Sequence, residues 1–199
     1  MGNIDVEYAT ERGILVINTP GKNTNSAAEL TMGLLLSAFR KIVPAHQSMQ
    51  SLNWDRHRFN GGELMNKCLG IIGLGNVGHR VARYAKAFDM KVQAFDPYVA
   101  DEVFERHGVQ KVDWITLLNT SDVITFHVPL NDETRGMISE MEIERMKPGV
   151  ILLNTARGGV INETSLLNAL HSGHVAAAGI DTWAVSYTHL RAHETFHDL

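Results

Sequence analysis

Short apolar runs alternate with amphipathic segments along the chain from residue 67 onward. The apolar runs predict strands at 67–72, 91–95, 110–112, 122–128, 149–155 and 175–181. Helices are predicted between them at 77–88, 100–107, 141–146 and 164–170, and a further helix follows the strand at 110–112 and ends at residue 118. Strands and helices that alternate in this way form a parallel sheet with helices on both faces. The pattern therefore predicts an α/β fold built on a doubly wound parallel sheet.

The opening of the chain follows a different pattern. Residues 5–12 predict a short helix and 14–17 a strand, and this opening is too short to fold alone. A capping box from Ser26 to Glu29 predicts the start of a helix over 26–42. Apolar residues lie on most sides of that helix, which indicates either a buried core helix or a subunit interface.

Three glycines follow the first predicted strand at a Gly-x-Gly-x-x-Gly spacing. Gly73 allows a tight strand-to-helix turn, Gly75 leaves room for a pyrophosphate, and Gly78 lets the helix pack closely on the strand. An acid about 20 residues further on suits a ribose 2′-hydroxyl, and Asp96 ends the second strand. The alternative is an ordinary glycine-rich turn. Because strand, helix, second strand and acid are in register, we favour a dinucleotide site.

Other polar residues follow the later strands, at the edge of a doubly wound sheet where ligands bind. Arg157 can present two parallel N–H donors to a carboxylate, although a surface ion pair is equally compatible with its position. Asp181 can accept from a carboxamide such as that of nicotinamide, or serve as a loop acid. His127 is either a proton donor or a structural turn residue.

Composition narrows the class of protein. The 199 residues carry a formal net charge of −4, which argues against a nucleic-acid partner because no basic surplus exists to neutralise phosphates. The single cysteine, Cys68, excludes an internal disulfide and fits a reducing compartment as a buried packing residue. No signal-peptide core and no run of membrane-spanning length is present, so we expect a cytoplasmic protein without a membrane partner.

The motifs together resemble those of the D-isomer-specific 2-hydroxyacid dehydrogenases. Within that family they are most similar to the branch that acts on 3-phospho-D-glycerate. The resemblance covers about residues 3–185, and the matching pieces are residues 3–5, 12–14, 26–30, 69–78, 95–98, 127–130, 154–159 and 178–181. The resemblance implies a Rossmann-type NAD-binding domain, preceded by a remnant of a second, substrate-binding domain.

The resemblance also implies NAD as the cofactor and assigns residues to each part of it. The pyrophosphate would meet the glycines and the backbone of Asn76 and Val77, and Asp96 would meet the ribose. Side chains that would line the adenosine are those of Val128, Pro129 and Thr134. Residues that would surround the nicotinamide are Thr155, Ala156, Arg157 and Asp181.

Arg157 matches the catalytic arginine of the family, which binds the substrate carboxylate and polarises the neighbouring carbonyl. The family fold also implies a homodimer that forms through the 26–42 helix region. No metal site is implied. His189, His193 and His197 have the spacing of a helical metal-ligand stripe, but short ligand spacings of this kind are weak signals.

The end of the chain departs from the family. The family has a glutamate where this chain has Ser186, and a general-acid histidine follows it. Residues 186–199 instead resemble translated sequencing adapter. We therefore expect three parts: a substrate-domain remnant at 1–22, an NAD-binding domain at 23–185 that lacks its last strand, and a non-native tail at 186–199.

The expected function is that of an NAD-dependent oxidoreductase acting on the CH–OH group of a D-2-hydroxy acid. The small-molecule substrate implied is 3-phospho-D-glycerate, in serine biosynthesis. The alternatives are a glyoxylate or hydroxypyruvate reductase, and a non-catalytic NAD-binding module. Without the catalytic glutamate and histidine, we expect the chain as written to be inactive by itself.

Overall fold

A computed structural model describes residues 4–19 and 21–184 of the chain. Its strands form one parallel sheet of six. They are β1 (Cys68–Ile72), β2 (Lys91–Phe95), β3 (Gln110–Lys111), β4 (Val123–Phe126), β5 (Val150–Asn154) and β6 (Val175–Ile180). Each lies within two residues of a strand predicted from the sequence. The predicted doubly wound α/β fold is confirmed.

Eight helices are present in the described part of the chain. They are α1 (Val6–Glu11), α2 (Thr24–Arg40), α3 (Ile42–Gln50), α4 (Gly78–Ala87), α5 (Asp101–His107), α6 (Trp114–Thr120), α7 (Glu140–Arg145) and α8 (Glu163–Ser172). None of these helices is both long and apolar enough to cross a lipid bilayer. The five helices from α4 onward connect successive parallel strands, as such connections require.

The order of the strands across the sheet is β3-β2-β1-β4-β5-β6. The chain runs outward from β1 in one direction, then returns to start again at β4 on the other side of β1. This reversal between β1 and β4 is the switch point at which open α/β sheets bind ligands. The carboxyl ends of β2, β1, β4, β5 and β6 therefore share one edge, in that order.

Two apolar clusters cover the two faces of the sheet. One contains residues of α2, α4 and α5, and the other contains residues of α6, α7 and α8. Successive strand residues alternate between the clusters, since Ile71 belongs to the first and Ile72 to the second. Strands buried on both faces explain why the sequence shows continuous apolar runs in this region.

The predicted strand at 14–17 is wrong, because this segment has no regular secondary structure and pairs with no strand among the described residues. Three of its four apolar side chains are exposed, Leu15 by 81%. Backbone N–H and C=O groups need a partner strand to form a ladder, and an apolar run alone supplies none. The preceding helix, α1, is present as predicted, with Asp5 as its N-cap.

The predicted capping box at Ser26 is also wrong. Helix α2 begins at Thr24, after a turn that contains Gly21 in a left-handed conformation, so Ser26 lies inside the first helical turn. The helix ends at Arg40, where Lys41 adopts the left-handed region. One face of α2 is buried while Leu30 on another face is 41% exposed, so the helix is amphipathic rather than buried all round.

Cys68 is half-buried, not fully buried as predicted. Burial is the main cause that raises the pKa of its thiol, with the nearby carboxylate of Asp122 acting in the same direction. A raised pKa disfavours the thiolate, which is the nucleophilic form. The structure thus agrees with a packing role. The predicted tail at 186–199, with Ser186, lies outside the described residues.

Asp122 joins three strands at the amino-terminal edge of the sheet. Its carboxylate accepts from the Cys68 N–H at 2.7 Å and pairs with the Lys147 ammonium, and its own N–H donates to the Cys68 carbonyl. Burial pushes its pKa upward, but the two bonds outweigh burial and hold the pKa below the ordinary value of 3.8.

We predict that Asp122→Asn lowers the free energy of unfolding by about 1–2 kcal/mol near neutral pH, because the charged acceptor is lost. A carboxylate with a depressed folded pKa contributes stability above its unfolded pKa and loses it as the pH falls through the folded pKa. The difference between wild type and variant should therefore begin to shrink below about pH 4 and vanish only once the pH has fallen below the depressed folded pKa of Asp122. Urea melts across pH measure this, with Asp132→Asn as a matched surface control. A difference that persists at low pH would contradict the assignment.

Candidate functional site

The turn between β1 and α4 is built on two close backbone contacts. Gly73 has a φ of +93°, and a β-carbon placed there would lie 2.7 Å from the carbonyl oxygen of His127 at the end of β4. A β-carbon at Gly78 would lie 2.2 Å from the carbonyl oxygen of Gly73. Only glycine fits at either position, so the predicted tight turn and close packing of helix on strand are both present.

The middle glycine differs from these two. Nothing lies within 4 Å of a β-carbon placed at Gly75, and both Gly75 and Asn76 are exposed. Among the described residues, none accepts a hydrogen bond from the backbone N–H of Asn76 or Val77. These donors stand at the N-terminus of α4, where the helix dipole favours an anion. The turn therefore offers an open, donor-lined space that fits a pyrophosphate.

Asp96 directly follows β2 and is almost fully buried. One carboxylate oxygen accepts from the Leu74 N–H at 2.8 Å, and the other accepts from the Tyr98 N–H at 2.9 Å. The residue therefore fixes the glycine turn to the loop after β2. Each carboxylate oxygen has further acceptor capacity, so Asp96 can still receive ribose hydroxyls. As an acceptor-only anion it would repel a 2′-phosphate.

His127 directly follows β4, and its contacts are those of a residue that holds the backbone in place. Its N–H donates to the Ile72 carbonyl at 2.8 Å, and its ring nitrogen Nε2 lies 3.0 Å from the Thr125 hydroxyl. Burial lowers its pKa to about 4, so the imidazole is neutral at physiological pH. Of the two interpretations open from the sequence, the structure favours the turn residue over the proton donor.

Thr134 shapes the loop that follows β4. Its hydroxyl donates to the Pro129 carbonyl at 2.5 Å and accepts from the Asn131 N–H at 2.9 Å. The threonine itself is buried, while Pro129 is exposed and Val128 half-buried. The loop thus presents Val128 and Pro129 at the switch point, and Thr134 holds them there.

A contact that the sequence did not predict joins the loops after β2 and β4. The Tyr98 hydroxyl donates a short hydrogen bond to the carboxylate of Glu133. This bond is the main cause that raises the pKa of Tyr98, and the charges of Glu133 and Asp96 act in the same direction. The two residues are 35 positions apart, so only the strand order could have brought them together.

The loop after β5 is held by the buried side chain of Asn154. Its oxygen accepts from the Ala156 N–H at 3.1 Å, and its amide donates to the Arg157 carbonyl at 2.8 Å. Arg157 is exposed, and its guanidinium donates to the Ala156 carbonyl at 2.7 Å. No described carboxylate lies within ion-pair distance of it. In the described part of the chain, the surface ion pair considered from the sequence is not formed.

The loops after β5 and β6 pack directly on each other. A β-carbon at Gly158 would lie 2.1 Å from the backbone carbon of Trp183, and the Glu163 carboxylate accepts from the Ala184 N–H at 2.6 Å. Asp181 donates its N–H to the Asn154 carbonyl at 2.9 Å. These bonds bring the exposed Asp181 to the same edge as Arg157.

Thr155 connects this edge of the sheet to helix α2. Its hydroxyl lies 2.8 Å from that of Thr31, which belongs to α2. The predicted residues therefore form two groups along this edge of the sheet. One group follows β2 and β4, the strands on either side of β1, and is Asp96, Val128, Pro129 and Thr134. The other group follows β5 and β6, farther along the edge, and is Thr155, Ala156, Arg157 and Asp181.

The described part of the chain contains no cluster of metal ligands. Within residues 4–19 and 21–184, no group of three or more histidine, cysteine, aspartate or glutamate side chains could hold a metal ion. His189, His193 and His197 lie outside the described residues. The donors gathered at the switch point are backbone N–H groups, one carboxylate and one guanidinium, which suits an anionic dinucleotide and a carboxylic acid.

The chain is similar to proteins of a known family. Residues 32–196 match the model described as "D-isomer specific 2-hydroxyacid dehydrogenase, NAD binding domain". The D-3-phosphoglycerate dehydrogenase of Archaeoglobus fulgidus is 50% identical over 181 residues, which are 91% of this chain and 34% of the relative. The hydroxypyruvate reductase of Thermotoga maritima is 46% identical over 185 residues, 93% of this chain and 60% of the relative.

A solved structure shows the same arrangement of elements. The D-lactate dehydrogenase of Aquifex aeolicus, in complex with NAD and lactic acid, superimposes with a TM-score of 0.82 at 35% identity. The alignment covers 92% of this chain and 55% of that structure. The chain thus spans about a third of the phosphoglycerate dehydrogenase it matches and about half to three fifths of the other two relatives.

Two glycine variants should separate binding from folding. The methyl group that Gly75→Ala adds would contact no other atoms, so we expect the free energy of unfolding to change by no more than about 0.5 kcal/mol. Its methyl group would fill the space that a pyrophosphate needs, and NADH binding should weaken about 10- to 100-fold. Gly78→Ala should instead cost about 1–3 kcal/mol of stability through overpacking. NADH fluorescence titrations and thermal melts measure both. Full NADH affinity in Gly75→Ala would exclude this turn as the pyrophosphate site.

Proposed function

This chain belongs to the D-isomer-specific 2-hydroxyacid dehydrogenases, and we propose that it serves NAD-dependent oxidation of the CH–OH group of a D-2-hydroxy acid. One observation carries the proposal: an exposed guanidinium, Arg157, lies at the same sheet edge as a turn that fits a pyrophosphate, without an ion-pair partner among the described residues. A dinucleotide held by the turn and a carboxylate held by Arg157 would meet at the switch point.

The chain's residues would hold the two halves of the cofactor by different means. The N–H groups of Asn76 and Val77 would bind the pyrophosphate, and Asp96 would accept from the ribose. Val128 and Pro129 would contact the adenosine, while Asp181 would accept from the nicotinamide carboxamide. When bound, NAD supplies the hydride acceptor for the reaction.

Arg157 would act on the substrate. Its fork of N–H donors matches a carboxylate, and a bidentate pair fixes the orientation of the acid as well as its distance. The positive charge beside the neighbouring carbonyl oxygen would also stabilise negative charge that develops there in the reduction direction. The loop packing of Gly158 on Trp183 would hold this arginine in place relative to Asp181.

We further propose 3-phospho-D-glycerate as the substrate, with a place in serine biosynthesis. The support is the similarity to D-3-phosphoglycerate dehydrogenases from several organisms at 42–50% identity. The hydroxypyruvate reductase relative, at 46% identity, makes hydroxypyruvate the second candidate. Both acids carry a carboxylate next to the carbon that is oxidised or reduced, and Arg157 would recognise this carboxylate.

The organisation of the chain is proposed on the same basis. We propose residues 23–185 as the NAD-binding domain and residues 1–22 as part of a substrate-binding domain, since Ile14, Leu15 and Ile17 are exposed and the segment 14–17 belongs to neither core cluster. We also propose a homodimer through the 26–42 region, supported by the exposed Leu30, Ile42 and Val43. The proposed location is the cytoplasm, where the lone Cys68 would stay reduced.

A preference for NADH over NADPH is the expected consequence of Asp96. A buried carboxylate that receives the ribose would repel a 2′-phosphate, so NADPH should bind at least about tenfold more weakly. Fluorescence titration of both dinucleotides measures this. 5′-AMP and 2′,5′-ADP form a matched pair of competitors that differ only in the 2′-phosphate. Equal affinity within either pair would show that Asp96 does not contact the ribose.

Arg157 can be tested by substrate binding to the NADH complex. Arg157→Gln should weaken binding of hydroxypyruvate by roughly 30-fold or more, because two charge-assisted bonds are lost. Arg157→Lys keeps the charge but not the fork of donors, so its affinity for hydroxypyruvate should lie between those of wild type and Arg157→Gln. NADH affinity should stay within about twofold, and Arg145→Gln serves as an exposed control. Unchanged acid binding in Arg157→Gln with intact NADH binding would reject the proposed role of Arg157.

A further inference from the structure

A single hydrogen bond crosses the switch point of the sheet. Tyr98 lies in the loop after β2, and Glu133 lies in the loop after β4. In the sheet, β1 lies between these two strands. Neighbouring strands are about 4.8 Å apart, so the two loops start from strands about 10 Å apart. The bond therefore passes above the carboxyl end of β1, where the glycine turn begins.

Both ends of this bond are anchored. The Tyr98 N–H donates to the Asp96 carboxylate at 2.9 Å, and the Glu133 N–H donates to the Asn131 side chain at 3.1 Å. The same Asn131 oxygen also accepts from the Thr134 N–H at 2.9 Å. The two backbones are thus fixed, and the connection between them consists of two side chains.

The position of the bond relative to the nucleotide site follows from the residues beside it. On the β2 side, Asp96 is the ribose acceptor and lies two residues before Tyr98. On the β4 side, Val128 and Pro129 belong to the same short loop as Glu133. A dinucleotide whose pyrophosphate lies on the glycine turn places its adenosine between these two loops. The phenol–carboxylate bond closes the gap between them.

We propose that Tyr98 and Glu133 form a clasp across the adenosine end of the nucleotide groove, and that its opening controls the rates at which NAD enters and leaves. The clasp rests on the assignment of the nucleotide site made above. It adds two positioning residues to the nucleotide site, and neither of them is a catalytic residue.

The exposure of the two residues decides whether the clasp affects the rates of NAD binding and release or the dissociation constant. Tyr98 is 77% exposed and Glu133 is also exposed, so the pair lies at the rim of the groove. When the clasp opens, both polar groups can bond to water. A rim contact that is closed both with and without nucleotide slows entry and exit alike. Its loss should therefore change both rates in the same direction and leave the dissociation constant nearly unchanged.

The experiment is stopped-flow fluorescence of NADH binding to the full chain and to variants of the pair. Tyr98→Phe keeps the ring and removes only the donor. We expect the association and dissociation rate constants to rise together by about three- to tenfold, the population shift that follows the loss of one hydrogen bond. Glu133→Gln keeps a weaker, neutral acceptor, so its rates should lie between wild type and Tyr98→Phe.

A double variant and a control variant make the test specific. Tyr98→Phe combined with Glu133→Ala should be no faster than Tyr98→Phe alone, because the two residues form one bond. Tyr8→Phe, at an exposed tyrosine of α1, should leave the rates unchanged. ADP-ribose, which lacks the nicotinamide, should dissociate with the same acceleration when excess NADH displaces it.

Three outcomes would overturn the clasp. Rates that are the same in Tyr98→Phe and wild type would show that the bond does not control access. A rise in the dissociation rate alone, with an equally weaker dissociation constant, would show that the tyrosine merely contacts the ligand. Absence of NADH binding to wild type would remove the nucleotide site itself, and with it both the proposed function and the clasp.

Discussion

The contact on which the site depends is the close approach of backbone to backbone around Gly73. The carbonyl of His127 occupies the space where a side chain at Gly73 would be, and the carbonyl of Gly73 occupies the same space at Gly78. These two contacts fix where α4 begins relative to β1 and β4. Because α4 begins there, the N–H groups of Asn76 and Val77 face a region that no described acceptor fills.

The strand order then brings distant residues to this turn. Asp96, Arg157 and Asp181 are separated by as many as 85 positions, yet each follows a strand that ends at the same edge. Buried polar groups at such an edge need partners. Asp96 accepts from one backbone N–H of the glycine turn and one of its own loop, and Asn154 accepts from a backbone N–H of its own loop. The bonds that satisfy these side chains also shape the loops.

The strands and the glycine turn were predictable, because buried runs bounded by turn residues are strong signals, as at 150–154. Two predictions were wrong because a local sequence pattern does not show which segment it pairs with or where a helix has already begun. Residues 14–17 have strand composition but no strand beside them, and Ser26 has a capping sequence inside a helix that had already begun at Thr24. The Tyr98–Glu133 bond has no local signature, since it depends on the order of strands.

The two halves of the site differ in what they can select. On the proposed adenosine side, Asp96 is buried and bonded on both oxygens, so the fold would fix the discrimination between a hydroxyl and a phosphate at the ribose. On the other side, Arg157 is exposed, and in the proposed function it would recognise the carboxylate that all 2-hydroxy acids share. A guanidinium therefore selects the class of acid but not its substituent. Discrimination between 3-phosphoglycerate and hydroxypyruvate has to come from groups that contact the far end of the substrate.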